Sequence, residues 1–120
     1  MLPATHRLTR GDDLQRVSRA GRRSGSATLV AHVLADATDG PARFGFVVSR
    51  AVGNAVTRHR VQRRLRHLCR ARLASVPAGT GVVVRALAPA AHASYQELGT
   101  DLDRCLQRAL GDQRTPGRGR

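Results

Sequence analysis

The sequence predicts a single α+β domain, on three observations. Two apolar stretches, 27–35 and 42–49, alternate with the two-residue period of strands, and a third, 81–88, is a near-continuous valine run. Two longer stretches, 54–75 and 95–110, repeat apolar residues at the helical period. A chain of 120 residues supports one modest core.

The elements follow in order. Residues 1–8 read as an extended arm. Thr9 and Asp12 resemble a capping box, opening a first helix from about Arg10 to Ala20. Leu14 and Val17 face inward in that helix, and Gly21 ends it. Arg22 to Gly25 is a basic connection or a short strand. In the strand Ala27–Ala35, Leu29, Val33 and Ala35 share one face; Val30, His32 and Leu34 share the other. His32 interrupts an apolar face, either as a satisfied strand histidine or as an RNA contact in a groove. The turn cluster Asp36–Pro41 predicts that the next strand, Ala42–Ser49, returns as a hairpin. There Phe44, Phe46 and Val48 face the core, while Gly45 on the opposite face admits a close approach.

Asn54 is the expected N-cap of a long helix reaching Ser75. Val61, Leu65, Leu68 and Cys69 form its apolar stripe. Arg60, Arg63, His67 and Arg70 fall opposite, flanked by His59 and Arg66, with Arg58 at the stripe's edge. Pro77-Ala78-Gly79 stops this helix. The strand Gly81–Ala88 then pairs in parallel with the strand before the helix. Ser94-Tyr95-Gln96-Glu97 is a capping box for the last helix. Its stripe is Leu98, Leu102, Cys105, Leu106, Ala109 and Leu110, and Gly111 closes it. The domain is expected to span 1–111, with 112–120 a disordered basic tail.

Charge narrows the function. The net charge is +13, and every basic residue counted is arginine. Arginine suits bidentate phosphate contacts, although all-arginine usage equally follows from genomic base composition. From Gly40 to Gln96 there are ten arginines and no acid, and seven of the ten lie between Arg58 and Arg72. A single-sign segment of this kind points to a nucleic acid or an anionic membrane. No apolar run approaches the roughly 20 residues of a spanning helix, and Met1–Arg7 lacks a signal-peptide core. Cys69 and Cys105 have no framework or metal-ligand spacing, so a reduced, cytoplasmic protein is expected. No catalytic constellation, P-loop or metal motif is present. With three aromatic residues a stacking platform is not expected, and binding rests on arginine–phosphate contacts and shape. Composition leaves RNA and DNA both open.

The run Val48-Ser49-Arg50-Ala51-Val52-Gly53-Asn54-Ala55-Val56-Thr57-Arg58-His59-Arg60-Val61-Gln62-Arg63-Arg64-Leu65-Arg66 resembles the signature of the protein subunit of bacterial ribonuclease P. Leu2, Pro3, Arg7, Leu8, Asp13-Leu14 and Gly21 extend the resemblance, which covers Leu2 to Leu110. It implies an α-β-β-β-α-β-α sandwich similar to a domain of a small-subunit ribosomal protein, with a left-handed β-α-β crossover. It also implies a partnership with the ribonuclease P RNA, 1:1, in removing the 5′ leader of precursor tRNA. In that family the chemistry is carried by the RNA, which also holds most of the Mg2+.

Taken with the helix map, the resemblance implies RNA-subunit contacts at Arg50, Asn54, Arg58, His59, Arg60, Arg63, Arg64, Arg66, His67 and Arg70. It implies a leader cleft carrying Arg7, Arg10, Leu14, Arg16, His32 and Arg43. His59 departs from the family's usual asparagine, and Leu14 and Ser18 stand where aromatics are common. The competing readings are a ribosomal or general RNA-binding protein of the same fold, and a DNA-binding basic module.

Overall fold

The computed structural model describes residues 6–8 and 10–114, with side chains through Gly111. Its elements are α1 (Gly11–Ala20), β1 (Arg22–Gly25), β2 (Leu29–Leu34), β3 (Arg43–Val47), α2 (Ala55–Arg70), β4 (Gly81–Ala86) and α3 (Tyr95–Arg114). This is the expected α-β-β-β-α-β-α order. Two 3-10 turns, Leu73–Ser75 and Ala88–Ala91, flank β4. The start of the expected arm, the Thr9 half of the capping box and residues 115–120 lie outside the described residues. The last helix does not stop at Gly111 but continues to Arg114.

The four strands lie in the order β1-β2-β4-β3. The hairpin expected between β2 and β3 is therefore absent. β4 fills the slot between them, antiparallel to β2 and parallel to β3. The loop that looked like a hairpin turn instead arches over the start of β4. The backbone N–H groups of Ala37 and Thr38 both donate to the Gly79 carbonyl, and Gly79 N–H donates to the Gly40 carbonyl at 2.7 Å. A turn cluster specifies a reversal, but which strand the reversed chain pairs with depends on contacts far away in sequence.

The sheet separates two apolar layers. On one face Leu29, Ala31, Val33, Phe44, Val82, Val84 and Ala86 pack with α2 and α3 in the main core. The predicted stripe of α2 is buried throughout, at Val61, Leu65, Leu68 and Cys69. The other face is covered by α1, where Val17 packs with Leu8 and Val83, and Leu14 lies against them half-buried. Gly45 makes this second layer close-fitting. A Cβ there would stand 2.7 Å from the Leu8 carbonyl oxygen and closer still to Leu14 Cδ2. The close approach expected at Gly45 is thus made by the chain's own N-terminal segment, which also bonds β3 through Leu8 N–H to the Phe44 carbonyl at 2.8 Å.

α2 ends at Arg70, short of the expected Ser75. Arg72 closes the helix end. Its Nη1 donates to the Leu68 carbonyl at 2.8 Å, satisfying an acceptor of the last turn, while its other nitrogens pair with Asp103 on α3. The chain then tightens into the 3-10 turn that follows.

Candidate nucleic-acid interface

The loop from β3 to α2 sets the site. Val52 is buried and anchors the loop, and the N–H groups of Val52 and Gly53 turn back to the carbonyls of Ser49 and Arg50, each at 3.1 Å. Gly53 has φ +153°, which favours glycine. Asn54 then caps α2 as predicted, its side-chain oxygen accepting from Thr57 N–H at 2.9 Å. Arg50 and Asn54 are both exposed at this corner.

With its stripe buried, α2 presents three other faces. His59, Arg63 and Arg70 point outward and are exposed. Arg60, Arg64 and His67 lie on the flank toward the start of α3. Arg60 Nη2 donates to the Ala91 carbonyl at 3.2 Å, and Arg64 Nη1 donates to the Ala93 carbonyl at 3.3 Å. His67 Nδ1 is hydrogen-bonded to the Tyr95 hydroxyl. Gln62 and Arg66 lie on the remaining flank, half-buried, toward the outer edge of β3. Sequence spacing placed Arg60 fully outward. The structure instead clamps it to the 88–91 turn, because that turn, non-local in sequence, fills the groove beside α2. Arg58 is half-buried, as its edge position predicted.

The electrostatics of this face are one-sided. Asp103, the carboxylate that reaches the end of α2, is engaged by Arg72, and their hydrogen bond is the main cause of Arg72's raised pKa. Arg63 and Arg70 make no hydrogen bond or ion pair among the described residues. Their charges are open to a polyanion.

A cavity of about 170 Å³ lies on the β3-edge side of α2, lined by Arg7, Leu8, Leu14, Phe44, Phe46, Gln62 and Arg66. It brings together two of the expected leader residues, Arg7 and Leu14, and adds Phe46, Gln62 and Arg66. Phe46 was expected only as core; its half-exposure depends on β3 being the outer strand.

The other expected cleft residues do not line this cavity. Arg10 is exposed at the N-cap of α1. Arg16 turns to the Ala37 carbonyl, tying α1 to the 36–41 loop. Arg43 sits half-buried at the start of β3, opposite Gly81. His32 is buried on the α1 side of the sheet, directly across from Arg23. Burial, then the charges of Arg85 and Arg23, push its pKa below the ordinary histidine value. Its Nδ1 has no hydrogen-bond partner among the described residues.

Cys69 and Cys105 are buried and unpaired, and burial pushes the Cys69 thiol far up. Among the described residues no three His, Cys, Asp or Glu side chains gather as metal ligands. No helix among them is long and apolar enough to cross a membrane.

Known proteins resemble this arrangement over nearly the whole chain. A family model described as Ribonuclease P matches residues 2–110. The ribonuclease P protein component of Nocardioides sp. is 56% identical over 110 residues, covering 90% of this chain and 94% of its own. That of Streptomyces avermitilis is 50% identical over 119 residues, covering 92% and 97%. Among solved structures, the Staphylococcus aureus RNase P protein superposes with a TM-score of 0.77 at 24% identity, covering 87% of this chain and 94% of its own. The Thermotoga maritima RNase P protein superposes with a TM-score of 0.74 at 22% identity, covering 85% and 96%. At these identities the two structures share the fold.

Proposed function

The chain belongs to the ribonuclease P protein family, and from that premise we propose how its surfaces divide the work of maturing tRNA 5′ ends. It is a protein component of ribonuclease P, an endoribonuclease with an RNA partner. In our reading the outward face of α2 docks on the ribonuclease P RNA in a 1:1 complex, and the RNA carries out the cleavage. The cavity at the β3 edge takes the 5′ leader of precursor tRNA. The setting is the cytoplasm.

The observation that carries the docking surface is the outward face of α2, where Arg63 and Arg70 stand exposed without a protein partner among the described residues. Each exposed arginine can replace a condensed counterion on a phosphate, which tightens association and makes it salt-dependent. Arg60 and Arg64 serve differently. Their stems brace α2 against the 88–93 segment, and this holds the docking face rigid.

The leader cavity offers Leu14 and Phe46 as apolar walls and Arg7 and Arg66 as cations. Leu14 and Ser18 do not provide the rings common on the family's first helix. Phe46 supplies a ring from the sheet instead.

The Mg2+ of the reaction has no fitting home on this protein among the described residues. Magnesium prefers several oxygen ligands, and the segment 40–96 contains no carboxylate at all. We assign the metal to the RNA subunit and route no step through protein ligands. The protein's share is positioning and charge screening.

The test is reconstitution. Purified protein is added to the cognate ribonuclease P RNA at low magnesium, and precursor-tRNA 5′ cleavage is followed. Stimulated cleavage is expected. No stimulation, together with tight binding to ribosomal RNA, would favour a general RNA-binding protein of this fold instead.

A further inference from the structure

Aromatic rings are scarce in this chain, and their placement is uneven. Phe44 is fully buried and Phe46 half-buried, whereas Tyr95 is 40% exposed. Leaving a large ring in water at the start of a helix gains nothing for the core. Tyr95 does not stand alone: its hydroxyl lies 2.5 Å from His67 Nδ1, and the two ring centroids are 5.9 Å apart at 49°. With Arg63 and Arg64 they wall a cavity of about 370 Å³, within the size range of small-ligand sites.

Each wall is held. Ser94 and Glu97 exchange capping bonds, at 2.8 and 3.0 Å, and so fix the helix start that carries Tyr95. Arg64 is tied to the Ala93 carbonyl. Arg63 has no hydrogen bond or ion pair among the described residues, so its charge is open to an anion at the rim.

We infer that this cavity is a pocket for one unpaired nucleotide of the ribonuclease P RNA, its base stacked on Tyr95 with the tilted His67 ring at its edge and its phosphate held by Arg63. The inference rests on the proposed function and deepens it. Aromatic walls beside a guanidinium match a base joined to a phosphate; an acidic peptide would leave the rings unused. The nucleotide is unpaired because neighbouring bases in a duplex cover both faces of each base. It belongs to the RNA subunit because the pocket continues, through Arg63, into the outward face of α2. The leader cavity lies across the helix, on the Gln62 and Arg66 flank.

The experiment compares Tyr95→Phe, Tyr95→Leu and Arg63→Gln in the full-length protein. Affinity for ribonuclease P RNA, affinity of the preassembled complex for precursor tRNA, and thermal stability are all measured. Tyr95→Leu should weaken RNA-subunit binding about 5- to 150-fold, the range for one lost base stack. Tyr95→Phe, which keeps the ring but loses the bond to His67, should stay close to wild type. Arg63→Gln should flatten the salt dependence by about one phosphate contact. Precursor-tRNA affinity should be unchanged in Tyr95→Leu.

A second measurement needs no substitution. Tyr95 is the sole tyrosine, so 3-fluorotyrosine labelling yields a single 19F resonance, which should shift when single-stranded oligoadenylate is added. The pocket is overturned if Tyr95→Leu binds the RNA like wild type or if Tyr95→Phe loses as much as Tyr95→Leu. It is equally overturned if only precursor-tRNA affinity falls, or if the resonance stays put at saturating oligoadenylate. Normal RNA binding and cleavage beside any of these leaves the proposed function standing; no binding of ribonuclease P RNA by the wild type removes both.

Discussion

Arg60 and Arg63 are three residues apart on one helix, yet the structure assigns them different work, and paired substitutions separate the two roles. Arg63→Gln removes a cation with no partner among the described residues. Its stability should stay within about 0.5 kcal/mol of wild type, as for other surface changes. Its RNA affinity should lose one phosphate contact, a change of about 0.7–0.9 in the slope of log K against log salt. Between 50 and 200 mM salt that contact alone accounts for about a 2.6- to 3.5-fold loss of affinity.

Arg60→Gln removes the bond to the Ala91 carbonyl and the half-buried stem behind it. A hydrogen bond from a charged donor is worth about 1.5–3 kcal/mol when buried; discounted for solvent access, about 1 kcal/mol remains. For a domain of this size that lowers Tm by about 3–6 °C. RNA binding measured by anisotropy across a salt series, beside thermal melts, tests both variants. The reasoning is refuted if Arg60→Gln flattens the salt slope as much as Arg63→Gln while leaving Tm unchanged.

Three further outcomes are expected. Gly45→Ala forces a Cβ against the Leu8 carbonyl, so it should cost about 1–3 kcal/mol in a urea titration and displace the N-terminal segment from β3; unchanged stability would mean the second layer is loosely packed. His32 has a native pKa below its unfolded value, so the unfolded chain binds the extra proton first. Stability should therefore be full above about pH 6.5 and decline as pH falls below it, and His32→Leu should flatten that part of the wild-type pH profile. Cys69 and Cys105 are fully buried, so a thiol reagent should label them only as fast as the protein opens; immediate labelling under native conditions would contradict the packing of α2 on α3.

Local chemistry wrote much of this protein plainly. The buried stripe of α2 followed from spacing alone, as did the Asn54 cap and the Ser94–Glu97 box, because each depends on residues within one or two turns of each other. The cationic segment was equally legible, since charge is counted without geometry. The ordered spelling from Val48 to Arg66 carried the family resemblance, and the match over residues 2–110 agrees with it.

What the tertiary structure decided was everything that depends on distant partners. β4 inserts between β2 and β3, and that one pairing replaces the expected hairpin, leaves β3 at the edge and brings Phe46 to a cavity. The 88–93 segment settles beside α2, converts Arg60 from an outward cation into a brace and engages Arg64 beside it. The loop between β2 and β3 draws Arg16 away from the expected cleft, while sheet register buries His32 between two arginines. Periodicity says which face of an element is apolar; it cannot say which other element will cover it. Docking therefore decided which arginines of α2 stay exposed and where a lone exposed tyrosine meets them.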